Sequence, residues 1–547
     1  MRGKYPSIVA LIKIAVIAKG SFPSLAFTVP PILHQSAHRL SNPLQATKDA
    51  NVLTSISDEL NAAIERCQPE FIKTCKVKVA PSPSGESRLG LVTTSKINKG
   101  DVALAIPYDD QIVFTPDLAV KTVFKGVLPD GYDGWTGDNG VLALLVLNEL
   151  AKCAGAGIPL PKRKPDASNL ISSWLKALPS PSEMSTMHPI LWDEDDQEKL
   201  QLSSTKKIYR ILDDIEEDSS WLEENIWSKD RSNLPQTVDL NGESYPCFSS
   251  AGFRWAMAIV SSRAVFVDGS LRLIPVLDML NHDDFGTEEV TGGFMGTFGT
   301  TKGAQIKSGK RRKYAQGEEF FASYGPKSAS EYLLEHGFLP SQQRSMTTSV
   351  SELTFELDQE DRFYDDKLDI LEFDTYEEVP LEPSQSFDVV SEVGRDGEPD
   401  PAMLQFLRLI NLGEMDAFLL ESIFRQEVWG FMSLPVSEKN ERIVLESVAS
   451  TCAKALEEMG DKSEDLEGFN PSSLCSIVRE TETRALTRTL EFVDREKEAL
   501  DLKEYYQERR LKDLGLDSDW NPDEQTYGED EDDLSYGQTR APGGLDW

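Results

Sequence analysis

The sequence predicts an α+β protein: two blocks of short β-strands separated by a helical insert and followed by an all-helical lobe. Residues 77–107 alternate in strand fashion around Leu89-Gly90-Leu91-Val92-Thr93-Thr94 and Val102-Ala103-Leu104-Ala105-Ile106-Pro107. Between 115 and 247 the apolar spacing turns helical, most clearly over 139–151, and a second apolar block follows at 275–338. Helical spacing returns at Met403-Leu404-Gln405-Phe406-Leu407-Arg408-Leu409 and continues through Ile443-Val444-Leu445 and Arg484-Ala485-Leu486 to Leu490-Glu491-Phe492-Val493.

At 547 residues the chain is too long for one core and suggests two or three folded units plus tails. An apolar fraction of 39%, with nine Trp and 24 Phe, is enough to build them. The formal charge of −36 argues against a nucleic-acid backbone or an anionic membrane surface as the main partner, because phosphate binding needs clustered Lys and Arg. Six scattered cysteines without a C-x-x-C pair, and only five histidines, leave little from which to build a disulfide framework, a structural zinc or any metal site.

The first fifty residues read as an address. Arg2 and Lys4 precede an apolar run over 8–18, interrupted by Lys13 and too short to anchor stably in a bilayer. The segment Ser24-Leu25-Ala26-Phe27-Thr28-Val29-Pro30 then opens a stretch with no Asp or Glu up to Lys48, which resembles a bipartite plastid presequence. An ordinary secretory signal is the competing reading, and a cytoplasmic location the third. Folding is expected to start near Asp58, where Leu60 and Ile64 have helical spacing behind a Ser57 N-cap. Residues 253–267 read as a helix carrying Ser261 and Arg263, and the charge run from Asp193 to Glu198 as a solvated helix start rather than a metal site. The acidic stretch 358–401 has few helix-period runs after Phe373 and is expected to be a mobile linker. Past Leu516 the chain is rich in Asp, Glu and Gly with little to bury, which predicts disorder.

The most informative stretch is 275–338. It opens with Pro275-Val276-Leu277-Asp278-Met279-Leu280-Asn281-His282, an apolar run that stops at two hydrogen-bonding side chains, as a strand or turn delivering polar groups to a rim would. It closes with Gly317-Glu318-Glu319-Phe320-Phe321-Ala322-Ser323-Tyr324-Gly325 and Glu335-His336-Gly337-Phe338. Together with Leu89-Gly90-Leu91, Trp174-Leu175-Lys176-Ala177-Leu178-Pro179 and Leu191-Trp192, these pieces resemble, in order, the SET-domain methyltransferases. Within them they resemble the group of the plant Rubisco large-subunit lysine methyltransferase and the actin-histidine methyltransferase.

The resemblance implies a SET β-fold at 58–345 interrupted by a helical insert at about 115–248. A strand remnant and acidic linker at 346–402, an all-helical substrate-binding lobe at 403–512 and an acidic tail at 516–547 would follow. It also implies S-adenosyl-L-methionine as cofactor and a monomer that docks a protein substrate on the helical lobe, with no nucleic acid and, once the presequence is removed, no membrane. Tyr324 matches the catalytic tyrosine; Asn281 and His282 would hold the cofactor's amino-acid and adenine ends, with Leu89 and Leu91 adding backbone contacts. Arg263 either pairs with Asp278 or a substrate carboxylate, or forms a structural ion pair beneath the site. Relatives often carry Glu-Gly where this chain has Ser87-Arg88, and Tyr-Gly-Phe where it has His336-Gly337-Phe338; His336 either lines the substrate channel or supports it from behind. The implied reaction is N-methylation of lysine on a plastid protein, with Rubisco large subunit or aldolase as candidates. Histidine methylation, or a catalytically weak scaffold acting in binding or assembly, are the alternatives.

Overall fold

Leu53, Ile56, Leu60, Ala63, Ile64 and Cys67 recur every three or four residues, and they are buried when Ala50–Cys67 winds into a helix, so regular structure begins ahead of the expected Asp58. The computed structural model describes residues 50–513 except 69, 75, 84–87, 241, 284–290, 296–300, 310–312, 326, 341–347, 374–379, 393–394 and 461–469. The presequence read over 1–50 lies outside the described residues but for Ala50, as do Ser87, Asp284 and the tail at 516–547.

The strand block forms as read. Leu89–Thr93 is the middle of a three-stranded sheet, flanked by Val77–Pro81 and Glu319–Phe320. Val102–Pro107 lies inside a second sheet, between Lys73–Thr74 and Thr301–Lys307, with Thr291–Met295 at the edge. Strands from before and after the insert therefore share both sheets.

In the insert, the helix Gly137–Cys153 is apolar nearly all round and buried from Gly140 to Ala151. Its two buried polar residues are satisfied: Asn148 exchanges hydrogen bonds with the backbone of Ile158, and Glu149 pairs with Arg163 and Lys152. Ser250–Arg263 packs against this helix and ends at the site. Asp193 caps Glu194–Gln197, as its acidic run suggests. The insert is not wholly helical, because a hairpin, Thr237–Leu240 with Glu243–Pro246, closes it.

The linker reading needs correction. Ser384–Glu392 is a strand paired antiparallel with Thr348–Glu356 along all nine residues, and Tyr364–Phe373 is helical. Its inward positions include Val389 and Ser391, while Asp388 and Glu392 face out. One polar face makes such a strand look hydrophilic when its residues are averaged, and hides its period of two.

The chain divides into two compact units. The first takes Met1–Glu356, Pro383–Met403 and Leu445–Glu496; the second takes Leu357–Glu382, Leu404–Val444 and Lys497–Trp547. The helices foreseen past Met403 are present as Pro401–Ile410, Glu438–Met459, Pro471–Glu498 and Tyr506–Asp513; residues 404–444 fall in the second unit and 445–496 in the first. In the second unit the Arg408 guanidinium donates to both oxygens of Glu441 (2.8 and 2.9 Å) and to the Met432 carbonyl (2.9 Å), all buried. Among the described residues no helix is long and apolar enough to cross a membrane.

Candidate active site

The second strand block delivers its polar residues through a strained turn. Val276 is buried with φ +77°, a conformation that a β-branched residue rarely adopts, and it leads into the short helical turn Leu277–Met279. The chain then straightens, and His282 makes a parallel bridge with Ala322, whose N–H donates to the Asn281 carbonyl at 2.9 Å.

Asn281 spends its amide protons on two acceptors, the Leu89 carbonyl (3.0 Å) and Glu319 Oε1 (2.7 Å). Neither can donate, so chemistry fixes the amide with its Oδ1 turned away from both. Glu319 is buried and takes its other hydrogen bond from Ser82 Oγ. Gly90 lies against this pair: a Cβ there would sit 2.3 Å from Glu319 Oε1 and 2.8 Å from Asn281 Nδ2. Gly90→Ala is accordingly expected to destabilise the protein by about 1–3 kcal/mol through overpacking, checked by its denaturant midpoint.

Around Tyr324 the side chains are aromatic. Its ring centroid lies 4.7 Å from His336, 5.1 Å from His282 and 6.2 Å from Phe338. Its hydroxyl donates to the Leu280 carbonyl at 2.6 Å, and burial pushes the phenol above its ordinary range, so it stays neutral. With the proton committed, the oxygen offers only lone pairs to a guest.

His282 Nδ1 accepts from the Tyr324 N–H (3.2 Å), which assigns the Nε2–H tautomer; that N–H faces the Tyr332 hydroxyl (3.2 Å), which in turn donates to the Gly325 carbonyl (3.0 Å). Tyr332 opens a single π-helical turn, Tyr332–His336, capped by Gly337 at φ +71°. A Cβ on Gly337 would press on His188, so glycine lets the chain turn and set Phe338 beside the other rings.

His336 faces the Ser262 carbonyl through Nδ1 (3.3 Å), while its buried Nε2 has no hydrogen-bond partner among the described residues. Burial holds its pKa down at about 3, and that of the fully buried His188 at about 4. Both folded values lie below the ordinary 6.5, so the unfolded chain takes up protons first and stability falls as pH drops from 6.5 toward 3. Unfolding midpoints measured between pH 7 and pH 4 are expected to fall, and less steeply in His336→Gln.

Not every residue singled out from the sequence lines the cleft. Asp278 lies beneath it: its carboxylate is wholly buried, accepts from Trp174 Nε1 (3.0 and 3.1 Å) and pairs with Arg263 (3.3 Å). Burial raises its pKa, against the pull of Arg263 and Trp174. Asp278 is thus no substrate contact, and the Arg263 NH1 group makes the structural ion pair and also binds the Asp278 carbonyl (3.0 Å). Leu91 stands opposite Val79 on one side and Phe320 on the other, so the sheet takes its backbone groups; the Leu89 carbonyl already receives Asn281. Glu319 and Tyr332 escaped the sequence reading. The available signals were an acid inside the buried pair Glu319–Phe320 and a tyrosine four residues before His336.

The segments ending in His282 and Tyr324 meet at the His282–Ala322 bridge and gather a cluster of aromatic rings beside small antiparallel sheets. That arrangement fits the SET domain that the sequence resembles. The family model for the Rubisco LSMT substrate-binding domain matches residues 358–500. Over 470 residues the chain is 32% identical to the chloroplastic ribulose-1,5 bisphosphate carboxylase/oxygenase large subunit N-methyltransferase of Nicotiana tabacum, covering 82% of this chain and 84% of that one. It is also 32% identical over 445 residues to the chloroplastic [fructose-bisphosphate aldolase]-lysine N-methyltransferase of Arabidopsis thaliana, covering 78% and 82%. The crystal structure of the SET domain of LSMT bound to lysine and AdoHcy superposes with a TM-score of 0.64 at 27% identity, over 86% of this chain and 98% of that one. Rubisco LSMT bound to AdoMet gives 0.61 at 26%, over 85% and 98%. The chain belongs to the Rubisco large-subunit methyltransferase family of SET-domain proteins.

Proposed function

We propose that this protein is an S-adenosylmethionine-dependent protein-lysine N-methyltransferase acting on a non-histone protein of the plastid, with Rubisco large subunit and plastid aldolase as candidate substrates. The observation that carries the reading is Tyr324, a neutral phenol whose proton is held by the Leu280 carbonyl within a ring of aromatic side chains. When bound, the cofactor supplies an electrophilic sulfonium methyl group. Asn281 fits its amino-acid end, because Nδ2 is used up internally and the Oδ1 acceptor remains for an ammonium. His282, fixed in one tautomer, stands beside it.

The residues of the cleft then have two tasks. A lysine ammonium, with a pKa of about 10.4 in water, must enter as the neutral amine, and a buried site lined by aromatic rings penalises the charged form. The lone pairs of the Tyr324 oxygen accept an amine N–H and weak C–H contacts from a methyl group, which aligns the nitrogen for in-line attack. The plastid location rests on the chloroplastic relatives and on the reading of residues 1–50.

Incubating the recombinant full chain and labelled cofactor with stromal extract, followed by mass spectrometry, is expected to place the label on a lysine side chain of one or a few stromal proteins. Label on a histidine, or none, would refute the reading.

A further inference from the structure

We infer that Glu319 is a positioning residue for the cofactor, acting through Asn281. The inference rests on the reading that Asn281 binds the cofactor, and it adds a residue that no pattern around Asn281 indicates. Glu319 is buried in the two-residue strand Glu319–Phe320, and its carboxylate receives only neutral donors, Asn281 Nδ2 at 2.7 Å and Ser82 Oγ. Among the described residues no Lys, Arg or His forms an ion pair with it. A carboxylate that has been taken out of water without a cation is expensive to keep, and this one has a specific effect in return.

Asn281 can satisfy Glu319 Oε1 and the Leu89 carbonyl only with its NH2 group, so its Oδ1 points to the other side. Without Glu319, one amide proton would lose its partner and the side chain would be free to rotate about its last bond. Gly90 permits the arrangement, since any side chain there would occupy the space of both groups. Among the described residues, the carboxylate that lies against Gly90 is that of Glu319, far along the chain.

The test is calorimetric binding of S-adenosylhomocysteine to the full chain, with steady-state kinetics alongside. Glu319→Leu is expected to weaken binding roughly tenfold, the scale of one lost buried hydrogen bond, with the loss in the cofactor KM rather than in kcat. Glu319→Gln, whose Oε1 still accepts from Asn281, is expected to restore most of the affinity. In an Asn281→Ala background, Glu319→Leu should add nothing further, because the two residues act as one unit. If Glu319→Leu fails to fold, Glu319→Met takes its place, keeping chain length without an acceptor.

A folded Glu319→Leu protein with wild-type affinity would overturn the inference, as would equal losses in the Gln and Leu variants or a full additional loss in the Asn281→Ala background. The underlying reading fails separately: it is Asn281→Ala without effect on affinity that would remove Asn281 from the cofactor site.

Discussion

Replacing Tyr324 by Phe is expected to lower kcat roughly 10²–10³-fold, about 2.7–4 kcal/mol, by analogy with the loss of one preorganised oxyanion-hole donor. The ring and its contacts with His282, His336 and Phe338 would stay, and only the hydroxyl that binds the Leu280 carbonyl at 2.6 Å would go. That hydroxyl has two functions, which are lost together: it is the acceptor that orients the amine and the donor to the Leu280 carbonyl. Because Asn281 and His282 hold their places through other partners, cofactor affinity should change little. A Tyr324→Phe enzyme with wild-type kcat on its identified substrate would show that the hydroxyl only packs.

Glu441→Ala is expected to destabilise the second compact unit by about 3–5 kcal/mol, since it strands the Arg408 charge in a buried position. Both Arg408–Glu441 hydrogen bonds would be lost, and Lys503, 3.7 Å from the same carboxylate, would lose that ion pair too. Amide exchange within 404–444 should speed up while the Leu89–Thr93 and Glu319–Phe320 strands keep their protection. If this unit docks the protein substrate, methylation of an intact protein should fall far more than that of a short lysine peptide. Equal loss on both would assign the unit to folding. A point change is the better probe, because deleting 403–510 would also remove Leu445–Glu496 from the first unit.

What was legible in the sequence was what neighbouring residues announce. Leu89-Gly90-Leu91 and Val102–Pro107 alternate, 139–151 is apolar throughout, and the apolar run into Asn281-His282 stops abruptly; each forms the predicted element in the predicted block. The partnerships were not legible. Asn281 with Glu319 and Trp174 with Asp278 join residues from different strands and helices, and no local period encodes which carboxylate ends beneath the cleft and which beside it. A substrate contact for Asp278 is therefore a natural expectation from the sequence, and one that its burial denies. The strand Ser384–Glu392 was hidden for another reason: its exposed acids outweighed its alternating inward face.

The division of the chain into units bears on how it is made. The first unit draws on segments as far apart as Ala50–Cys67 and Leu445–Glu496, with pieces of the second threaded between them. A ribosome adding about 5–20 residues per second would hold the early strands for roughly 20–80 s before the last of those helices was complete. Until then Leu474, Cys475 and Val478 are missing from the core they join. Contacts this distant in sequence also slow the final collapse. Nascent chains of this protein should therefore depend on chaperones until synthesis is nearly finished, and a stop codon anywhere before about residue 490 should yield aggregate rather than a smaller working enzyme.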